Sequence, residues 1–384
     1  MNPSSSFISS FDRPVPRSRR RRQLRVVKIV FWTIGILVLL DAVIGFVFRM
    51  PANVHQPPSA LQAYFEHGRS IEGKLQRMIG PTIADDAPIV NAGWIGKECD
   101  RPSSAAPGKL GIDIYGMSFS ADVAEQMERL DSGVALNNFA GPAAPLNHSY
   151  ACFLEREKKG LVRMPVQIVG VLGSSLLRMH TIDGLTTGFE APQPFTYPRY
   201  SLAADGHLVA HWPIIRTQQD LHEVFADPAK WQTFLHELTA EDDYYRDILM
   251  RSNVFDRSVI VRMLRRAWAQ RFRRERTDTL GMESGFSGAP DIPPTLNAML
   301  LDIQKRCLAA KARLVVLLIE DRGYEGVFSR ITVPSLKRHN IDYVITSKIA
   351  PTSDSNTFIS DGHFTDAVNA KIAKALLALL GRPQ

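Results

Sequence analysis

One stretch of the chain is apolar almost without interruption: IVFWTIGILVLLDAVIGFVF, residues 29–48. As an α-helix it is long enough to cross a hydrocarbon core of roughly 30 Å, so it predicts a single transmembrane helix. Asp41 is the one charge within it. A carboxylate in lipid is costly, so this residue is expected near an interface, against a partner, or protonated. Residues 1–28, MNPSSSFISSFDRPVPRSRRRRQLRVVK, read as a polar, Pro/Ser- and Arg-rich leader that we expect to be disordered. Residues 49–108 mix Pro, Ser and Gly with one amphipathic pattern, LQAYFEHGRSIEGKLQRMIG, and read as a connector.

From residue 109 the period changes. KLGIDIYG, VALNNFAG and VQIVGVLG predict strands, and ADVAEQMERLDS and PLNHSYACFLEREKKG predict the helices between them. The third strand is apolar on both alternating faces, as expected of a strand covered on both sides. Residues 177–300 break the alternation. This insertion begins with FTYPRYSLAADGHLVAHWPII, a hairpin turning at Asp205-Gly206. It continues as helical, arginine-rich runs: DLHEVFADPAKWQTFLHEL, DDYYRDILMRS and VIVRMLRRAWAQRFRRER. ARLVVLLIE, VFSRITVPSLKRHN, IDYVITS and TDAVNAKIAKALLALLG then restore strand, helix, strand and helix. The expected class is α/β: a parallel sheet flanked by helices, with a hairpin-plus-helix insertion, preceded by one transmembrane helix.

Charge sharpens the reading of the N-terminus. Net charge is +7, and much of the excess precedes residue 29, whereas only Arg49 follows the apolar span closely. The positive-inside rule puts the N-terminus in the cytoplasm and residues 109–384 outside it. The apolar run is long, and FRMPANV is a poor cleavage site, which favours a retained anchor over a cleaved signal peptide. A basic leader in that topology orients the helix; nucleic acid is not an expected partner. Three cysteines, Cys99, Cys152 and Cys307, cannot all pair within one chain. An extracytoplasmic location permits a Cys99–Cys152 disulfide; buried thiols are the other reading. No Cys/His spacing suggests a metal, and FLHELTAEDD lacks the second histidine of a zinc-protease helix.

Candidate chemistry lies at the strand ends. YGMSFS, residues 115–120, follows the first predicted strand, at the carboxyl edge where such sheets form sites. Serine is a poor nucleophile without a base. ISDGHFTDAV, after the last strand, supplies one: Asp361 can hold the Nδ1–H of His363 and turn Nε2 outward. Each residue alone has a plainer reading, as a cap for Ser118, Ser120 or Asp361 and as turns for the glycines. Their joint placement at strand ends favours a Ser118–His363 pair.

In these blocks the chain resembles the SGNH (GDSL-type) hydrolase superfamily, a three-layer, flavodoxin-like fold, over residues 109–382 with the insertion set aside. Ser118 in YGMSFS matches the nucleophile block and Gly141 in NNFAGPA the second block. VLGSSL stands at the third block and DGHFT at the last. The resemblance implies Ser118 as nucleophile, His363 as base and Asp361 as its orienter. It also implies oxyanion donors from the amides of Ser118 and Gly141, and no cofactor. Met117 departs from the usual Asp. Ser175 aligns with the third-block asparagine, for which Asn138 or Asn147 are possible substitutes. One residue rather than two separates Asp361 from His363, which makes Asp354 a second candidate orienter.

Among subgroups the chain looks most like membrane-tethered envelope members, including alginate-type O-acetyltransferases. That resemblance implies a bacterial inner-membrane protein with a periplasmic domain. Its activity would be that of a serine esterase or O-acyltransferase, its partners an acylated or acyl-accepting glycan and envelope polysaccharide machinery. The alternative is a non-catalytic SGNH-like glycan-binding or polysaccharide-assembly protein, which the absent asparagine favours. His148 is expected to line the pocket. Phe195, Tyr197, Tyr200 and Trp212 either stack on sugar rings or form a small core under the insertion. The basic run RMLRRAWAQRFRRER is expected to face solvent, lipid headgroups or an acidic glycan.

Overall fold

The computed structural model describes residues 17–53, 56–79, 92–161 and 163–382. The leader up to residue 16 and residues 80–91 of the connector lie outside the described residues. Helix α1 (Arg17–Val47) starts well before the apolar run, so residues 17–28, expected to be disordered, are helical. Arginine is a good helix former, and extending an existing helix avoids the cost of nucleation. Within α1, Arg22–Val47 is long and apolar enough to cross a membrane.

Helices α2 (Ala60–Glu66), α3 (Ile71–Ile79) and α4 (Ile95–Glu98) follow, then β1 (Leu110–Tyr115), α5 (Ser118–Leu130), β2 (Val134–Asn138), α6 (Leu146–Lys158) and β3 (Val166–Leu172). The insertion contains a 3-10 segment (Gly173–His180) and four short strands, β4 (Asp183–Gly184), β5 (Gln193–Thr196), β6 (Arg199–Leu202) and β7 (Leu208–His211). Four helices come next: α7 (Gln218–Ala226), α8 (Pro228–Glu241), α9 (Asp247–Met250) and α10 (Val259–Thr279). The chain closes with α11 (Ile292–Ala309), β8 (Arg313–Ile319), α12 (Val327–Ile331), α13 (Val333–Arg338), β9 (Asp342–Ile345) and α14 (Asp366–Leu379).

Strands β1, β2, β3, β8 and β9 form one parallel sheet in the order β2-β1-β3-β8-β9. The chain leaves β1 towards β2 and comes back to the other side of β1 as β3. Strand order therefore reverses at β1, and a crevice opens at its carboxyl end. Alternate side chains of the strands feed two cores. Ile112, Ile114, Ile168, Val315 and Leu317 meet Val123 and Met127 of α5 and Ile372 and Leu376 of α14. On the opposite face Val169, Val171, Val316 and Leu318 belong to the core that takes in Phe153 of α6 and Leu296 and Leu300 of α11. Helices α5 and α14 pack side by side on their face.

Several expectations are corrected. The boundary near residue 300 cuts through α11, which packs on β8 as part of the crossover from β3. DDYYRDILMRS yields only the short α9. VFSRITVPSLKRHN splits at Thr332 into α12 and α13, with Pro334 starting the second piece where its missing N–H costs nothing. The connector is largely folded structure: Ile71, Leu75, Trp94 and Cys99 lie in the larger core. A Cys99–Cys152 disulfide ties α4 to α6, and Cys307 is a buried free thiol. Buried Arg156 donates to the Cys99 carbonyl (3.0 Å) and to Ser103 Oγ (2.6 Å), and its guanidinium lies 3.7 Å from the Phe139 ring centroid.

The hairpin β6–β7 turns at Asp205-Gly206, with Gly206 in the left-handed region. Phe195, Tyr197 and Tyr200 are buried, so these three form core under the insertion and are unavailable to sugars. Trp212 is half-buried against the same core. Asp41 has a partner: its Oδ1 accepts the Ile260 amide at 2.7 Å and the Ser258 hydroxyl at 3.1 Å, which joins the end of α1 to the first turn of the arginine-rich α10.

Candidate functional site

Only Gly116 and Met117 separate β1 from α5. Gly116 has φ +143°, and a Cβ there would lie 2.3 Å from Ser120 Oγ. A Cβ on Gly170, across on β3, would lie 2.0 Å from the same oxygen. Ser120 is thus a buried spacer between two glycines. Neither serine caps α5, because the N-cap is the buried Met117. Ser118 is the first helical residue and is half-buried, its hydroxyl free of capping duty.

The second arm is a tight loop. Phe358 and Phe364 form an antiparallel bridge, the Ile359 amide donates to the His363 carbonyl at 2.8 Å, and Gly362 turns the chain at φ +95°. This loop leads straight into α14, whose N-cap is Thr365. Because α5 and α14 pack together and both begin at the carboxyl edge of the sheet, their first residues converge. Ser118 Oγ lies 2.7 Å from His363 Nε2.

Asp361 Oδ1 is 3.1 Å from His363 Nδ1 and accepts the His363 amide at 3.0 Å. With Nδ1–H held by the carboxylate, Nε2 carries the lone pair and accepts from the Ser118 hydroxyl. The His363 amide, and then its ring N–H, hold the Asp361 carboxyl below its usual pKa. Asp354 takes another job: it caps the 3-10 segment Ser355–Thr357, accepting the Asn356 amide at 2.9 Å.

Two neighbours were missed by the sequence reading. The His363 ring stacks on Phe119, with centroids 4.7 Å apart, and Phe119 meets Phe364 edge-on at 5.1 Å. Asp122, one turn along α5 from Ser118, is half-buried; burial raises its carboxyl pKa and the nearby His363 opposes that rise. For Asp122 the available signal was helical spacing, since it lies four positions beyond Ser118 on the same face; Phe119 meets His363 only through the loop that enters α14, which nothing local encodes.

The opposite side of Ser118 differs from expectation. The Gly141 amide donates to the Gly116 carbonyl at 3.0 Å, tying the loop after β2 to the turn after β1. Ser175 is buried and its hydroxyl donates to the Leu172 carbonyl at 2.8 Å. Asn138 is exposed and its Oδ1 accepts the Ala140 amide at 2.9 Å. Asn147 donates to the carbonyls of Met179 and Pro198. Gly141, Ser175 and Asn147 therefore already have acceptors inside the protein. The amides of Ser118 and Phe119, at the first two positions of α5, have no intrahelical acceptor and point with the helix dipole towards negative charge.

His148 does not line a pocket. It is fully buried, its Nε2–H donates to the Gly93 carbonyl at 2.7 Å, and a Cβ on Gly141 would lie 2.9 Å from its ring. Burial lowers its pKa to about 4. The residue buttresses the Gly141 loop from behind. Among the described residues, no group of three or more His, Cys, Asp or Glu is arranged to hold a metal. The chain matches no family model and no curated protein sequence.

Proposed function

We propose that this protein is a membrane-anchored, extracytoplasmic serine esterase or O-acyltransferase of the SGNH type, acting on an acylated or acyl-accepting envelope glycan. The observation that carries this reading is the 2.7 Å approach of Ser118 Oγ to His363 Nε2, with Asp361 behind the imidazole. Ser118 Oγ attacks the ester carbonyl as His363 Nε2 takes its proton. The oxyanion forms at the N-terminus of α5, against the amides of Ser118 and Phe119. The imidazolium then protonates the departing alcohol, leaving an acyl-serine. Water or a sugar hydroxyl gives its proton to Nε2 and takes the acyl group, and the imidazolium returns that proton to the departing Ser118 Oγ. Helix α1 supports a bilayer anchor, and the Cys99–Cys152 disulfide fits an oxidising compartment. The test is labelling by a fluorophosphonate probe and hydrolysis of acetyl esters by the full chain. Both are expected for wild type and neither for Ser118→Ala.

A second reading, a non-catalytic glycan-binding protein on the same fold, draws on one observation. The Gly141 amide and the Ser175 hydroxyl are engaged within the protein, so two of the expected oxyanion donors are taken up by internal acceptors. Absence of both labelling and turnover in the folded wild type would select it.

A further inference from the structure

We propose that the arginine-lined cavity at the junction of α1 and the folded domain binds the phosphodiester headgroup of an anionic membrane lipid. The cavity has a volume of about 430 Å³. Arg49 just after α1, Arg69 before α3, Arg77 on α3, and Arg257 and Arg262 around the start of α10 all line it. Against these five arginines stand two carboxylates, Asp41 and Glu66, which leaves an excess of three positive charges. Both carboxylates are already engaged. Glu66 pairs with Arg69 and Arg262, and Asp41 accepts the Ile260 amide. Arg77 donates to the Pro51 carbonyl at 2.7 Å, and burial, its largest influence, pushes its pKa down. Arg49 and Arg257 are exposed, and neither guanidinium has an ion-pair partner among the described residues.

Position then selects the ligand. At 1.5 Å per residue, Asp41 lies about 9 Å deeper along α1 than Val47. The cavity thus runs from the upper hydrocarbon to the headgroup layer of any bilayer that α1 crosses. Phe48, at the helix exit, packs against Phe65 with ring centroids 5.2 Å apart. The elements around the cavity also expose apolar side chains: Val254 and Phe255 before α10, Leu264 on α10, and Leu61 and Tyr64 on α2. Apolar and aromatic groups beside arginines are the composition of a membrane-interface surface. Planar guanidinium forks match phosphate oxygens, and a lipid supplies the acyl chains that the apolar rim would cover. This inference rests on α1 spanning the membrane and is independent of the serine chemistry.

The experiment uses the full chain in uncharged detergent, titrated with dihexanoyl phosphatidylglycerol while thermal unfolding is followed. The lipid is expected to raise Tm. In Arg49→Gln/Arg257→Gln the concentration needed is expected to rise at least ~10-fold, since two charge-assisted contacts are lost. Arg271→Gln, an exposed residue elsewhere on α10, should respond as wild type. Should the double variant fail to fold, each single variant must show a partial loss. An unchanged response in folded variants would overturn the proposal. So would an equal response to dihexanoyl phosphatidylcholine, or to inorganic phosphate at the same concentration. Turnover by Ser118 should persist in these variants, so the two proposals fail separately.

Discussion

The imidazole of His363 lies nearly flat on the ring of Phe119, with centroids 4.7 Å apart and planes inclined by 22°. Phe119 follows Ser118 directly, so the residue that floors the imidazole is fixed by the same helix start that carries the hydroxyl. The stack, the Asp361 contact and the Ser118 contact together leave the ring little freedom. Phe119→Leu keeps most of the buried volume and should cost about 1.5 kcal/mol or less of stability. It should slow fluorophosphonate labelling about 10-fold while leaving KM for a small acetyl ester nearly unchanged, because a mispositioned base affects the transition state more than binding. A raised KM with an unchanged labelling rate would show that Phe119 contacts substrate instead.

The three residues of the hydrogen-bonded line should differ in severity. Ser118→Ala and His363→Gln should each remove labelling and lower kcat by about 10⁴-fold or more. Asp361 is different, because its side chain is 60% exposed and water can replace part of what it supplies. Asp361→Asn should fall well short of the ~10⁴-fold loss seen when a buried triad carboxylate is changed to its amide. Asp122→Asn on top of it should lower kcat further, as the remaining carboxylate near the imidazolium disappears. Equal losses for Asp361→Asn and His363→Gln, read as kcat under saturating ester, would contradict this ordering.

Strands such as β3 and β8 were legible because runs of Val, Ile and Leu bounded by turn residues suit a sheet covered on both faces. Ser118 was legible because it comes directly after β1, where the period of apolar positions stops and small residues begin, and Asp361 and His363 because they share the short polar loop that enters α14. The partners of the other site candidates were not. Whether the Gly141 amide is free depends on how the loop after β2 lands on Gly116, and nothing local encodes that contact. The partner of Asp41 lies 219 positions away, so only its cost in lipid could be foreseen. Helix α11 escaped notice because it starts with two prolines after an irregular stretch, and its apolar residues serve the sheet and the insertion together.

The disulfide makes a separate prediction about folding. Cys99 and Cys152 are 53 positions apart, and a cross-link closing a loop of that length restricts the unfolded chain by about 4 kcal/mol. Both sulfurs are buried, so reduction requires partial opening. Cys99→Ser/Cys152→Ser should lower the denaturant midpoint and abolish the further destabilisation caused by dithiothreitol in wild type. Dithiothreitol sensitivity surviving in the double variant would assign it to something other than this bond.

His148 ties stability to pH. Its imidazole is fully buried, Nε2–H is used by the Gly93 carbonyl, and Nδ1 has no hydrogen-bond partner. A second proton would therefore place an unpaired charge in the core beneath Gly141. The folded pKa is about 4, against 6.5 for the free side chain. A folded pKa below the unfolded value means that the unfolded chain binds the proton first. The stability is fully present above about pH 6.5 and is lost as pH falls towards 4. At 1.36 kcal/mol per pKa unit the loss over that window is about 3 kcal/mol. His148→Gln retains a donor for Gly93 and removes the titration. Denaturation of the full chain in detergent at pH 7 and pH 4.5 should show a smaller drop for this variant than for wild type, whatever its stability at neutral pH. Equal drops in the two proteins would mean that carboxylates elsewhere, and not this histidine, set the acid sensitivity.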